Sequence, residues 1–169
     1  IAMLAVLPLL AMPLCVPLWA RLFDGGHGVR YRARQGWVLV LAVAILCAGT
    51  LADLEWVLWV GAVGLGIANA GANLGGSLGH NDFASPGRAQ QYMGVHVTLT
   101  GLRGMVAPPL GIAAYQGLEA LAAGAGRWSV LLPLAGTAAG AAGFTRMRRR
   151  LDAAARPNDS NRPEGMTPT

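Results

Sequence analysis

The sequence predicts an all-α fold, a polytopic bundle of transmembrane helices. Of 169 residues, 54% are hydrophobic and only 12% are charged, where a soluble domain carries about 25% charged residues. The apolar residues gather into five runs, each close to the roughly 20 residues that a helix needs to cross a bilayer. All five tryptophans, Trp19, Trp37, Trp56, Trp59 and Trp128, fall within a few residues of a run end, where the lipid–water interface favours amphipathic rings.

The first run covers residues 1–20. Pro8, Pro13 and Pro17 and the absence of a basic leader set it apart from a secretory signal peptide. No initiator Met precedes it, so the chain is expected to enter in mid-protein. An arginine-rich segment leads to the second span, residues 36–52, and Asp53 and Glu55 separate that span from the third, residues 56–78. The fourth, residues 92–115, has a tyrosine at each end, and Pro108 and Pro109 are expected to kink it. The fifth, residues 128–145, completes a transmembrane region over 1–145, and the polar residues 146–169 read as a basic, disordered cytoplasmic tail. Pairs of small residues four apart, Gly71 and Gly75, Ala72 and Gly76, Gly136 and Gly140, Ala139 and Gly143, would let helix backbones approach.

The net charge of +5 comes from 13 basic residues, all arginine. They flank apolar runs instead of forming a basic face with interleaved aromatics, which excludes nucleic acid as the expected partner. Arg21, Arg30, Arg32, Arg34, Arg88, Arg146, Arg148, Arg149, Arg150, Arg156 and Arg162 fall on one side of alternating spans and only Arg127 on the other. By the positive-inside rule the C-terminus is cytoplasmic. Cys15 and Cys47 lie singly in apolar runs, too few for a disulfide framework and without metal-binding spacing. No metal and no cofactor is expected.

Arg103 stands midway along the fourth span, where insertion of an arginine costs about 2.5–3.5 kcal/mol. Tyr92, His96, Thr100 and Arg103 share one helical face, and Asn69, Asn73, Ser77 and His80 repeat the pattern in the third span. Two such stripes imply a hydrated surface, with Arg103, Thr100, His96, Asn73 and Asn69 lining a solute pathway. The alternative is interhelical hydrogen-bond glue with Arg103 as a structural counter-ion. No acidic residue lies in any span, so a coupling carboxylate would come from outside them. Gly75-Gly76-Ser77-Leu78-Gly79 matches a nucleophile-elbow pattern, but that motif acts at a strand-to-helix turn and no strand is predicted. An intramembrane serine hydrolase using Ser77 and a small membrane scaffold remain alternatives, and no enzyme is the preferred expectation.

The segment Ala20-Arg21-Leu22-Phe23-Asp24, with its Gly-rich turn and Arg30, Arg32 and Arg34, resembles the signature loop of major facilitator superfamily transporters. It departs from that loop at Ala20, Gly25 and His27. The stretch from Ser77 to Gly111, with LGHNDF and YMGVHVTLTGLRG, is similar to the last cytoplasmic loop and eleventh helix of bacterial members. The resemblance implies helices eight to twelve of a secondary transporter in a bacterial inner membrane, moving a small solute by alternating access. It implies a gating role for Asp24 with Arg21 and Arg30, and it makes the N-terminal half of the same transporter the partner.

Overall fold

A computed structural model of the chain describes residues 2–24, 28–78 and 89–154. Among these residues the protein is all-helical, with no strand. Its elements are α1 (Ala2–Asp24), α2 (Gly28–Leu51), α3 (Glu55–Leu78), α4 (Ala89–Leu121), a short 3-10 turn (Ala125–Val130) and α5 (Leu131–Ala154). Three helices are long and apolar enough to cross a membrane, over Leu4–Asp24, Gly28–Leu51 and Glu55–Ser77. Helices α4 and α5 have the length, at 33 and 24 residues. Polar and charged side chains dilute their apolar stretches, His96 and Arg103 in α4 and four arginines near the end of α5.

The helices outrun the expected spans. Arg30, Arg32 and Arg34 lie on α2, and Arg21 and Asp24 belong to the end of α1, so the residues read as a cytoplasmic gating loop are largely helical. Helix α5 continues to Ala154, which corrects the expectation of disorder from residue 146; residues 155–169 lie outside the described residues. The reason is common to both: an apolar run marks only the apolar part of a helix, and arginine, a good helix former, carries the helix on beyond it. Helix α4 likewise runs through Pro108 and Pro109 as one element.

Helix α3 packs between α1 and α2, and α5 packs on α2. The α2–α3 pair is antiparallel, with Gly49 against Leu58, Gly61 against Leu46 and Gly75 against Tyr31. Antiparallel α2 and α5 meet through Gly36 and Ala141 and through Trp37 Nε1 donating to Thr145 Oγ1 at 3.0 Å, and α2 also reaches the 3-10 turn through Cys47 Sγ donating to the Val130 carbonyl at 3.1 Å. At the end of this pair Arg30 donates twice to Asp152 Oδ1, at 3.0 and 2.7 Å. Both partners are exposed, so this pair contributes at most about 1 kcal/mol.

This topology gathers Arg21, Arg30, Arg32, Arg34 and Arg146, Arg148, Arg149 and Arg150 at one end of the bundle, and Asp53, Glu55, Glu119 and Arg127 at the other. Cations in the first turns of α2 oppose its helix dipole. Their intrinsic helix propensity, not the dipole, is what favours the helix there.

Side chains from α1 and α2 reach the backbone of α3. Trp19 Nε1 donates to the Ile67 carbonyl at 2.8 Å, Tyr31 Oη to Gly71 at 2.8 Å and Gln35 Nε2 to Ala68 at 3.3 Å. Small residues on this face make the approach possible: a Cβ on Gly71 would stand 2.8 Å from the Trp19 ring. Trp19 and Phe23 each meet Tyr31 edge-to-face, with centroids 5.4 and 5.1 Å apart, a geometry that adds about 0.5–1.5 kcal/mol per pair.

Two expectations change here. Trp19 is 4% exposed and belongs to the core, not to an interfacial belt, whereas the other four tryptophans are between 44% and 65% exposed. The small pairs divide as well. Gly71 and Gly75 sit against neighbouring helices, but Gly136, Gly140 and Gly143 have open space where a Cβ would go, and α5 uses Ala141 instead.

The corner after α4 is tied by one carboxylate. The Gly124 and Gly126 amides donate to Glu119 Oε1 and Oε2 at 2.8 and 2.9 Å, and Gly124 turns the chain at φ 80. These two bonds hold the Glu119 carboxyl below its ordinary value of 4.5. A lowered carboxyl pKa means that the tie is complete at neutral pH and is lost as pH falls through that lowered value. The Gly124 and Gly126 amide proton shifts are expected to titrate together with a midpoint below 4.5, and Glu119→Gln removes the titration.

Candidate functional site

A cavity of about 760 Å3 lies among α2, α3, α4 and α5 in the arginine-rich half of the bundle. Helix α4 supplies its longest wall, with Met93, His96, Val97, Thr100, Gly101 and Arg103. These positions recur every three or four residues, so one face of a straight helix presents them all. Helix α3 adds Ala72, Asn73, Gly76 and Ser77 from its last turns, α2 adds Arg32, and α5 adds Phe144. From Met93 to Arg103 the wall is about 15 Å long at the rise of an α-helix.

Arg103, Thr100, His96 and Asn73 thus come together around one space. Asn69, one turn further along α3, is half-buried and is not part of the lining; neither is Tyr92. Asn73 also reaches α1, where Nδ2 donates to Met12 Sδ at 3.2 Å. Asp24 and Arg21 are exposed at the end of α1, and Arg30 is engaged with Asp152. These three do not meet one another in a gate. His80, Arg88 and His27 lie outside the described residues.

Arg32 is the site residue that the arginine pattern concealed, since it reads as one more topological charge. Its guanidinium lies across α3: Nη1 donates to the Ala72 carbonyl at 3.5 Å, and Nε and Cζ stand 3.1 Å from where Gly75 would carry a Cβ. The available signal is helical phase. Tyr31, Arg32 and Gln35 fall on one side of α2, and all three donate to α3 carbonyls.

The cavity holds two arginines, a histidine and three neutral polar side chains, Asn73, Ser77 and Thr100, with Met93, Val97 and Phe144 as apolar wall. Among the described residues no carboxylate lines it. Both ion pairs among the described residues use Asp152, which pairs with Arg30 and Arg148 outside the cavity. Ser77 shares the cavity with His96, but it stands in the last turn of α3 and not at a strand-to-helix elbow. No protein-family model, no curated protein and no solved structure matches the chain.

Proposed function

We propose that the chain forms part of a secondary transporter of the major facilitator type, which moves a small solute across a bacterial inner membrane through the cavity beside α4. One observation carries this reading: five polar residues of α3 and α4, including a mid-helix arginine, converge on a space of metabolite size, within the roughly 300–1,000 Å3 of small-molecule sites. An arginine in a lipid-matched segment is costly unless it serves a pathway or a partner.

In this reading α4 and α5 are the fourth and fifth spans. His96, Thr100 and Arg103 of α4 turn to the cavity, while Val95, Leu99, Leu102, Val106 and Leu110 are exposed and meet lipid or a second helical bundle. The gathered arginines make their end of the bundle cytoplasmic. The cavity then occupies the cytoplasmic half, as an inward-facing state of alternating access requires.

Two experiments test it. Alkaline phosphatase fused after Asp53 is expected to be active and a fusion after Ala154 inactive; the reverse pattern overturns the topology. Cells expressing the full-length protein are compared with empty-vector cells for movement of a labelled sugar, amino acid, organic cation and organic acid. Transport of none of them, with the protein present in the membrane, counts against the transporter.

A further inference from the structure

The cavity beside α4 is lined by two arginines, and one of them shares a point with a histidine. Arg32 Nη2 stands 3.7 Å, and His96 Nε2 3.3 Å, from the position that a Cβ on Gly76 would occupy. Two side-chain nitrogens, from α2 and α4, therefore flank a space over α3 that stays open because residue 76 is glycine. The neighbouring Gly75 lets the guanidinium of Arg32 lie flat on the helix. Among the described residues one N–H of Arg32 is engaged, at 3.5 Å, and a guanidinium has five. Arg103 adds a second positive charge two helical turns along the same wall, with no acidic residue beside it among the described residues.

The Arg32 N–H groups that bond no described residue open onto the cavity. A cation would be repelled there, and a neutral solute would leave the charge unpaired. An anionic oxygen group pairs with it, because carboxylate and phosphate oxygens match the guanidinium fork. Met93, Val97 and Phe144 line the rest of the space, so the group that fits is attached to an apolar body.

We propose that Arg32 and His96, facing each other across Gly76, bind the carboxylate or phosphate group of an organic anion whose apolar part rests on Met93, Val97 and Phe144. This deepens the transporter reading, since the site belongs to the same cavity. The chemistry is shared by a free organic acid and by the headgroup of an anionic lipid.

The test uses the full-length protein in nanodiscs of neutral phosphatidylcholine, with labelled benzoate as the free anion. Saturable benzoate binding is expected. Arg32→Gln and His96→Gln should each weaken it about ten- to hundred-fold, the loss of one charge-assisted contact. Arg34→Gln, at an exposed arginine outside the cavity, should leave it unchanged, and near-ultraviolet circular dichroism verifies the fold of each variant. Nanodiscs containing phosphatidylglycerol separate the sources. Undiminished benzoate binding there assigns the site to a free acid, and loss of binding in the wild type assigns it to the lipid headgroup.

Equal binding of benzylamine or benzyl alcohol overturns the proposal. So does the absence of benzoate binding by folded protein up to about 10 mM, a range that covers weak transporter affinities. Anion binding without transport would sink the transporter alone, and transport of a sugar or cation with no anion binding would sink the anion site alone.

Discussion

Arg103→Ala abolishes solute movement while the protein stays in the membrane at the wild-type level. The two halves of this expectation rest on the same physics. Arg103 sits mid-helix on the cavity wall and has no acidic partner among the described residues. In hydrocarbon its guanidinium costs about 2.5–3.5 kcal/mol on insertion, so alanine makes α4 easier to insert, not harder. A fall in transport of about a hundred-fold or more, at undiminished protein, would then report lost contact with solute, a loss of roughly 2.7 kcal/mol or more. The measurement is initial rate normalised to membrane protein by quantitative blotting, for whichever solute the panel identifies. Unchanged transport would make Arg103 a structural counter-ion and remove the principal support for a pathway along α4.

The second large effect concerns assembly. A Cβ on Gly66 would stand 2.5 Å from the Pro8 carbonyl oxygen and 2.8 Å from Ala11 Cβ. Pro8 belongs to the backbone of α1, so no side-chain rotation relieves the clash, and α1 must move off α3. Overpacking of this kind costs about 1–3 kcal/mol even for alanine. Separation would also strain the Trp19 bond to Ile67, worth about 1 kcal/mol. Gly66→Ala is expected to lower the midpoint of thermal unfolding in detergent by several degrees, and Gly66→Leu to prevent accumulation of folded protein. Gly136→Ala and Gly140→Ala serve as controls, since open space lies where their Cβ atoms would be; equal losses in the controls would show that the α1–α3 contact is not what glycine protects.

The helical class, the antiparallel order and the polar stripe of α4 were legible in the sequence, because hydropathy and the 3.6-residue period depend on residues close together in the chain. What escaped depends on which neighbour a residue meets. Trp19 has the composition of an interfacial anchor, and only the proximity of the Ile67 carbonyl makes it a core residue. Arg32 is indistinguishable in sequence from Arg30 and Arg34, yet Arg30 pairs with Asp152, Arg34 is exposed, and Arg32 lies against Gly75 and faces the cavity. Asn69 has the spacing of the α3 stripe but does not line the cavity. Helix ends were misread for a different reason: hydropathy registers lipid, and the arginines of α2 and α5 continue their helices after the apolar signal has stopped.

The corner tied by Glu119 gives α4 a mechanical character. This helix packs mainly against the 3-10 turn beside that corner and stands largely exposed along the rest of its length, so it has the form of a lever with its fulcrum at Glu119. His96 stands about 35 Å along the axis from that fulcrum, and Tyr115 only about 6 Å. A tilt of about 5° would therefore carry His96 through about 3 Å while Tyr115 shifts by roughly half an ångström, at the rise of a regular helix. Small angular adjustments at a carboxylate-bound turn are thus magnified at the far wall of the cavity, and the four helices α1, α3, α2 and α5 need not repack for its width to change.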